Sequence, residues 1–136
     1  MNEPLDPVRE FLLRRGCATH VVERGLEGLI AAWALTADEV AAGYRLGLDD
    51  YRNDVDARQL IDEALEHADP DARVAFRAAV ELLDERIRVW LSPPRECLWG
   101  DAAARANAWT PERNWWYFRW PLELGASEQE AASEGA

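Results

Sequence analysis

The stretch that decides the fold is DPDARVAFRAAVELLDERIRVWLSPP, residues 69–94. Its apolar residues recur at steps of three and four, the spacing that places side chains on one face of an α-helix. Asp69 followed by Pro70 is typical of a helix start, and Pro93–Pro94 ends the pattern. The stretch therefore predicts a helix over about residues 70–91, whose buried face carries Phe76, Val80, Leu83, Ile87 and Trp90.

The residues before this stretch follow the same period. Asp6–Pro7 caps a short opening helix that ends at Gly16. Residues 19–44 hold one apolar stripe in continuous phase, but Thr36–Glu39 is a second capping pattern. The segment is therefore one helix or two with a break near Leu35, and the continuous phase favours one bent helix.

A third helix and an aromatic segment complete the chain. The helix begins at Asp49 or Asp50 and ends near Ala68. Residues 99–121 hold seven of the 13 aromatic residues, after a start typical of a short alanine-rich helix. Residues 115–120 have strand propensity and no predicted strand to pair with, so we expect an extended arm laid across the helices or an edge open to another chain.

These patterns predict an all-α fold, an irregular bundle of about four main helices closed by a Trp-rich C-terminal arm, residues 99–121. We expect residues 1–124 to form a single helical domain, because a chain of 136 residues is long enough for one core without disulfides or metal. Residues 125–136 contain no large apolar side chain and three Glu, which predicts a disordered acidic tail.

Composition limits the partners. The 26 acidic residues outnumber 15 basic ones, all Arg, and the formal net charge of -11 argues against a nucleic-acid partner. No apolar run approaches the roughly 18 residues of a membrane span, and Met1–Arg15 carries acids where a signal peptide needs a basic and then an apolar stretch. We therefore expect a bacterial cytoplasmic protein with no membrane partner; the absence of Lys is typical of a GC-rich genome.

Motifs for catalysis are not evident. Cys17 and Cys97 have no metal-ligand spacing and predict reduced thiols, while His20 and His67 fit roles at helix ends. The sequence contains no Gly-x-Ser-x-Gly, no phosphate-binding glycine loop and no His-Glu-x-x-His. We predict no catalytic residues, no metal and no cofactor.

The acidic run at residues 49–56 invites a calcium interpretation. An EF-hand loop needs glycine at its sixth position and glutamate at its twelfth, and no frame of this run supplies both. The run is better explained as a helix cap followed by a solvent-exposed ladder of Asp54, Arg58 and Asp62, spaced by four residues.

One enzyme alternative rests on Glu63, Glu66, Glu81 and Asp84. Their Glu-x-x-Glu and Glu-x-x-Asp spacing is similar to that of the all-α nucleotide pyrophosphohydrolases, in which four carboxylates on two helices hold magnesium. The resemblance implies magnesium-dependent hydrolysis of a nucleoside triphosphate. Helical phase instead places these carboxylates on the solvent side, and a hairpin turning at residues 69–70 offsets Glu66 from Glu81 by roughly 12 Å.

The aromatic arm supplies most of the candidate binding residues. In an extended chain, adjacent side chains point to opposite sides, so Trp115, Tyr117 and Arg119 would face outward when Trp116 faces the core. Trp, Tyr and Arg dominate protein-binding hot spots, although large rings also complete cores of alanine-rich helices. Between Asp49 and Glu85, 12 acids and four Arg add an acidic face. The candidate binding residues are Trp109, Arg113, Trp115, Tyr117, Arg119, Asp50 and Asp54.

The sequence thus predicts a non-enzymatic interaction protein that binds either a basic protein or a second copy of itself. Its composition resembles that of small acidic antidote or immunity proteins, which neutralise a basic nuclease or a similar toxin. A negative surface raises the rate of encounter with a positive partner.

Overall fold

The computed structural model describes residues 6–125, and residues 1–5 together with nearly all of the predicted tail, 126–136, lie outside the described part. The all-α prediction is confirmed. Five α-helices pack together in a bundle-like arrangement, and a 3-10 turn follows them. They are α1 (Pro7–Arg14), α2 (Thr19–Ala41), α3 (Leu48–Leu65), α4 (Pro70–Arg88), α5 (Asp101–Asn107) and the 3-10 turn (Trp115–Tyr117). None of the helices in residues 6–125 combines the length and apolarity needed to cross a bilayer.

The two cap-and-proline starts form as predicted. The Asp6 carboxylate accepts a hydrogen bond from the Arg9 backbone N–H at 2.9 Å, and Asp69 accepts from the first turn of α4. Pro follows directly in both helices, where its missing N–H costs nothing. The Arg73 guanidinium donates to the carbonyl of Leu65 at 2.9 Å, and to those of Glu66 and Ala68 just after α3, which fixes the turn into α4.

Helix α2 forms the centre of the core. It contacts α1, α3 and α4, and Trp33 at its middle is fully buried. Of the five residues predicted inward on α4, Val80 and Ile87 are buried and two more are half-buried, but Trp90 is 45% exposed because α4 ends at Arg88. The other helices and the arm complete one cluster; its largest buried members are Trp33, Trp116, Tyr44, Tyr51, Tyr117, Leu12, Ile61 and Leu65.

Helix α2 continues through Leu35, as the continuous apolar phase favoured, and it bends at Gly25. Gly25 adopts φ 62° and ψ -153°, a conformation that residues with a Cβ rarely enter. The bend leaves the Glu23 carbonyl outside the helical ladder, and the Arg9 side chain donates to it through Nε at 3.1 Å and Nη2 at 3.0 Å. At the second capping pattern the Thr36 hydroxyl donates to the Ala32 carbonyl at 3.1 Å, so the helix continues there.

Replacing Gly25 with Ala tests this bend. In a continuous helix the change would stabilise the protein by roughly 0.5–1 kcal/mol, because Ala loses less backbone entropy on folding. At a left-handed position we expect the opposite sign, a loss of about 1–3 kcal/mol in the free energy of unfolding. Urea denaturation measures the difference, and a stabilised Gly25→Ala variant would contradict the bend.

Candidate functional site

The C-terminal arm lies along the polar side of α3 and is held there at Asp56. The Tyr117 hydroxyl donates to Asp56 Oδ1 at 2.6 Å, and the Trp99 indole donates to the same oxygen at 3.1 Å. The Tyr117 ring stacks on Trp109 with centroids 3.9 Å apart. Tyr117 is only 1% exposed, and burial raises the pKa of its hydroxyl far above the usual value. The prediction that Tyr117 faces outward is therefore wrong.

A second attachment forms one helical turn further along α3. The Gln59 side-chain oxygen accepts hydrogen bonds from Asn114 Nδ2 at 3.0 Å and from Trp116 Nε1 at 3.2 Å. Its amide nitrogen donates to Glu63 at 3.0 Å. The polar face of α3 is consequently occupied by the arm over much of its length, which explains why aromatic residues with N–H and O–H donors are concentrated there.

Arginine side chains cover three rings of the arm closely, and Arg52 lies over a fourth ring, that of Trp99, at 5.8 Å from its centroid. A guanidinium above an indole is attracted by the negative face of the ring, an effect worth about 0.5–2 kcal/mol. The pairs, with the distance from guanidinium carbon to ring centroid, are Arg58 and Trp116 at 4.1 Å, Arg88 and Trp115 at 4.7 Å, and Arg95 and Trp120 at 3.9 Å. These contacts connect the arm to α3, to α4 and to the segment between α4 and the arm, which contains Arg95.

Residues 115–117 are not extended, contrary to what we expected of the arm. Residues 115–117 form a 3-10 turn, because the Tyr117 and Phe118 backbone N–H groups donate to carbonyls three residues earlier. After the turn, the carbonyls of residues 117, 118 and 120 accept hydrogen bonds from the backbone of residues 92–98 at 2.7–2.8 Å. The segment that follows α4 therefore supplies the backbone partner that the sequence did not reveal.

Three other arm residues from the predicted binding set have different environments. Arg113 is exposed. Trp115 is half-buried, packed edge-on against Trp116 with centroids 5.7 Å apart. Arg119 is half-buried and donates to the Ser92 carbonyl at 3.4 Å. The arm therefore presents Arg113 fully and the other two only in part.

The two acids of the predicted set lie near the start of α3. Asp50 is exposed, and its carboxylate accepts from the Gly47 backbone N–H at 3.3 Å as part of the helix cap. Asp54 is half-buried and accepts a hydrogen bond from the Tyr44 hydroxyl at 2.5 Å. Burial raises the pKa of Asp54 even though the hydrogen bond from Tyr44 acts in the opposite direction. Asp50 remains available to a partner, whereas Asp54 is engaged by the fold.

A buried ion pair joins α3 to α4. Asp84 is 4% exposed; Oδ1 accepts from Arg58 Nε at 3.0 Å and from the Trp33 indole at 2.9 Å, and Oδ2 accepts from Arg58 Nη2 at 2.8 Å. The predictions that Asp84 faces solvent and that Arg58 belongs to a solvent-exposed ladder are wrong. The sequence contains a pattern that indicates this burial: the steps of four and three residues place Asp84 on the same helical face as the buried Val80 and Ile87.

The four carboxylates of the enzyme alternative do not form a site. Glu66 and Glu81 are exposed, Glu63 pairs with Arg15 at 3.1 Å, and Asp84 is bound to Arg58. Within residues 6–125 no group of three or more His, Cys, Asp or Glu side chains could hold a metal ion.

The thiols and the cavities carry no reactive pair. Burial raises the pKa of both Cys17 and Cys97, which favours the unreactive protonated form. Cys17 lines an open cleft of about 380 Å³ together with Arg15, Asp56 and Trp109, where the Asp56 carboxylate is already bonded to the arm. A cavity of about 390 Å³ at the Gly25 bend contains charges of both signs.

The surface that the sequence analysis missed is the outer face of α4. We define it by three exposed apolar residues, Val74, Leu82 and Val89, with the exposed Ala75 and Ala78 between them. The three large side chains expose 72%, 69% and 70% of their surface. Their spacing of eight and seven residues is a second helical stripe in the sequence, hidden by the stronger stripe on the opposite face.

No family model, curated protein or solved structure matches this chain.

Because Asp84 is in the buried ion pair, we expect its replacement to lower the free energy of unfolding far more than the replacement of a nearby exposed acid on α4. Replacing Asp84 with Ala leaves the Arg58 charge buried without its partner, and we expect a loss of about 3–5 kcal/mol in the free energy of unfolding. Replacing the exposed Glu81 with Ala is the matched control, expected to change it by less than about 0.5 kcal/mol. Denaturant unfolding of both variants measures the contrast; equal losses would show that Asp84 does not carry a buried pair.

Asp54 predicts a dependence of stability on pH. The pKa of Asp54 is higher in the folded chain than in the unfolded chain, where it is about 3.9. The carboxyl of Asp54 therefore favours the folded state most at a pH below that unfolded pKa. This contribution to stability is lost as the pH rises through the folded pKa. Asn keeps an oxygen for Tyr44 and carries no charge. We expect the stability of Asp54→Asn relative to the wild type to increase as pH rises from about 4 to about 7. Thermal melts across this range test it, with Glu81→Gln as the control for loss of one charge.

Proposed function

We propose that this chain is a non-enzymatic interaction protein that binds a basic protein partner. The observation that carries the proposal is the concentration of exposed carboxylates on α3, α4 and the turn between them. Three arginine side chains of α3 and α4 have partners within the fold: Arg58 binds Asp84, Arg73 binds the Leu65 carbonyl, and Arg88 lies over the Trp115 ring. Some carboxylates also have partners within the fold, such as Asp54 with Tyr44, but most acids of residues 49–85 are exposed.

The acidic face lies on α3, α4 and the turn between them. Its exposed members are Asp49, Asp50, Asp56, Glu66, Asp69, Asp71, Glu81 and Glu85. Inside residues 49–85 the Arg58 and Asp84 charges cancel in the core, so the 11 other acids and three other Arg leave the same excess of eight negative charges at or near the surface. Such a field accelerates encounter with a basic protein and disfavours acidic ones.

The engagement of several ionisable groups by the fold also supports a binding role. Asp56 and Asp84 accept hydrogen bonds that hold the arm and the helices in place, and the pKa of both thiols is raised. A general acid, base or nucleophile must be free to meet a substrate, and these groups are committed to the fold. An antidote that neutralises a basic toxin is one form that such a binding protein takes.

The proposal is tested by purifying a partner and measuring how salt affects its binding. The chain is used as bait in extracts of its source cells, a captured protein is purified separately, and the two are titrated by calorimetry at about 50 mM and about 300 mM salt. We expect a partner with a net positive charge and an affinity at least tenfold weaker, as an order of magnitude, at the higher salt concentration.

Two variants separate specific steering from general charge effects. Glu66→Gln removes an exposed acid from the acidic face and is expected to lower the association rate constant. Arg105 is an exposed residue of α5, and Arg105→Gln is expected to leave the association rate constant unchanged or to raise it. An acidic or neutral partner, or binding insensitive to salt, would overturn the proposal. Sedimentation of the chain alone tests the second possibility from the sequence, self-association.

A further inference from the structure

The outer face of α4 is an exposed apolar strip that the core does not use. Val74 and Val89 are separated by 15 residues, so the strip runs for about 22 Å along the helix at about 1.5 Å per residue. Ala75 and Ala78 are exposed and lie between the larger side chains along the helix. Large side chains flanking small ones form the kind of hole that accepts a side chain from a second helix.

The buried pair fixes which face of α4 points outward. Val80, Asp84 and Ile87 lie on the opposite side of the helix and are buried. Rotating α4 to bury Leu82 would expose Ile87 and pull Asp84 away from Arg58 and Trp33. Breaking a buried ion pair costs several kcal/mol, so the pair of Arg58 and Asp84 holds α4 in the rotation that leaves the strip exposed.

Three exposed carboxylates lie beside the strip. Asp71, Glu81 and Glu85 are exposed on the same side of α4, and within residues 6–125 none of them takes part in an ion pair. The exposed arginines of α4 are Arg77, Arg86 and Arg88: Arg86 pairs with Asp38, Arg88 lies over the Trp115 ring, and Arg77 takes part in no ion pair within residues 6–125. The three carboxylates outnumber the two arginines that lack an ion pair, so the face combines an apolar strip with a small excess of negative charge.

We propose that the outer face of α4 docks an amphipathic α-helix of the basic partner. Apolar side chains of that helix occupy the strip, and its flanking Arg or Lys side chains lie opposite Asp71, Glu81 and Glu85. An amphipathic helix on an apolar strip uses anchors at steps of three and four residues, which match the strip's own period. This inference rests on the proposed function and specifies the surface and the partner element.

Charge distinguishes this occupant from the other possibilities. A second copy would bring two sets of the same three carboxylates together between chains that each carry a net charge of -11. An anionic membrane surface would repel the face for the same reason. Residues 126–136 contain no large apolar side chain that could fill the strip. A basic amphipathic helix satisfies both the apolar and the charged part of the face.

The test uses a fluorescent helical peptide of about 21 residues, three heptads with Leu at the a and d positions and Arg at e and g. Two further peptides serve as comparisons: one has Glu in place of every Arg, and one has the same composition in scrambled order. Fluorescence polarisation measures their affinity for the full chain. We expect the basic amphipathic peptide to bind at least tenfold more tightly than either comparison peptide, as an order of magnitude.

Variants locate the binding to α4. We expect Leu82→Ser to weaken binding at least tenfold, and the double variant E81Q with E85Q to weaken it and reduce its salt dependence. The matched control is Leu35→Ser on α2, a leucine 59% exposed, which should change the affinity less than about twofold. Both leucines lie on the surface, so both serine variants should keep the wild-type melting temperature.

The outcomes separate this inference from the proposed function. Peptide binding that is absent, equal for the scrambled sequence, or unaffected by Leu82→Ser overturns the docking face. If the purified natural partner still binds with strong salt dependence, the proposed function stands and a different surface serves it. A dimer in sedimentation that Leu82→Ser dissociates would instead assign the strip to a second copy and overturn the basic helix as its occupant. Failure of the salt-dependence experiment refutes the proposed function itself.

Discussion

The buried pair of Arg58 and Asp84 is the constraint on which the rest of the structure depends. Trp33 of α2 donates to the same carboxylate, and Trp116 of the arm lies beneath the guanidinium, so this cluster joins three helices and the arm. Removing two charges from water costs several kcal/mol each, and the cluster offsets that cost with a bidentate ion pair, an indole hydrogen bond and a cation–π contact. An apolar core would fold as well but would not fix one rotation of each helix so strictly.

That fixed rotation determines what the surface offers. With Asp84 inside, α4 turns Val74, Leu82 and Val89 to the outside, and α3 turns Asp56 and Gln59 towards the arm. The arm then meets those polar groups with indole, phenol and amide donors. The exposed carboxylates and the apolar strip are therefore consequences of the same internal pairing, which links the core directly to the proposed binding face.

The aromatic segment belongs to the core, but its amino-acid composition is similar to that of a protein-binding interface. Trp, Tyr and Arg are enriched in both settings because they combine large apolar area with hydrogen-bond donors. Here most of the donors find acceptors within the chain: Trp116 on Gln59, Tyr117 on Asp56 and Trp120 on the Glu96 carbonyl. Composition alone cannot separate the two roles, because the position of the acceptors is a property of the folded chain.

The sequence by itself determined the main helices and the starts of α1 and α4. Asp6–Pro7, Asp69–Pro70 and the apolar period act over a few residues, so they could be recognised without knowing any neighbour. Only the tertiary structure decided that Asp84 is buried, that Tyr117 points inward and that Leu82 is exposed. A side chain at the edge of a helical stripe is buried only when another element supplies its partner. The partners here are Arg58 for Asp84 and Asp56 for Tyr117, and both pairs, like the rotation of α4, depend on contacts between residues far apart in the chain.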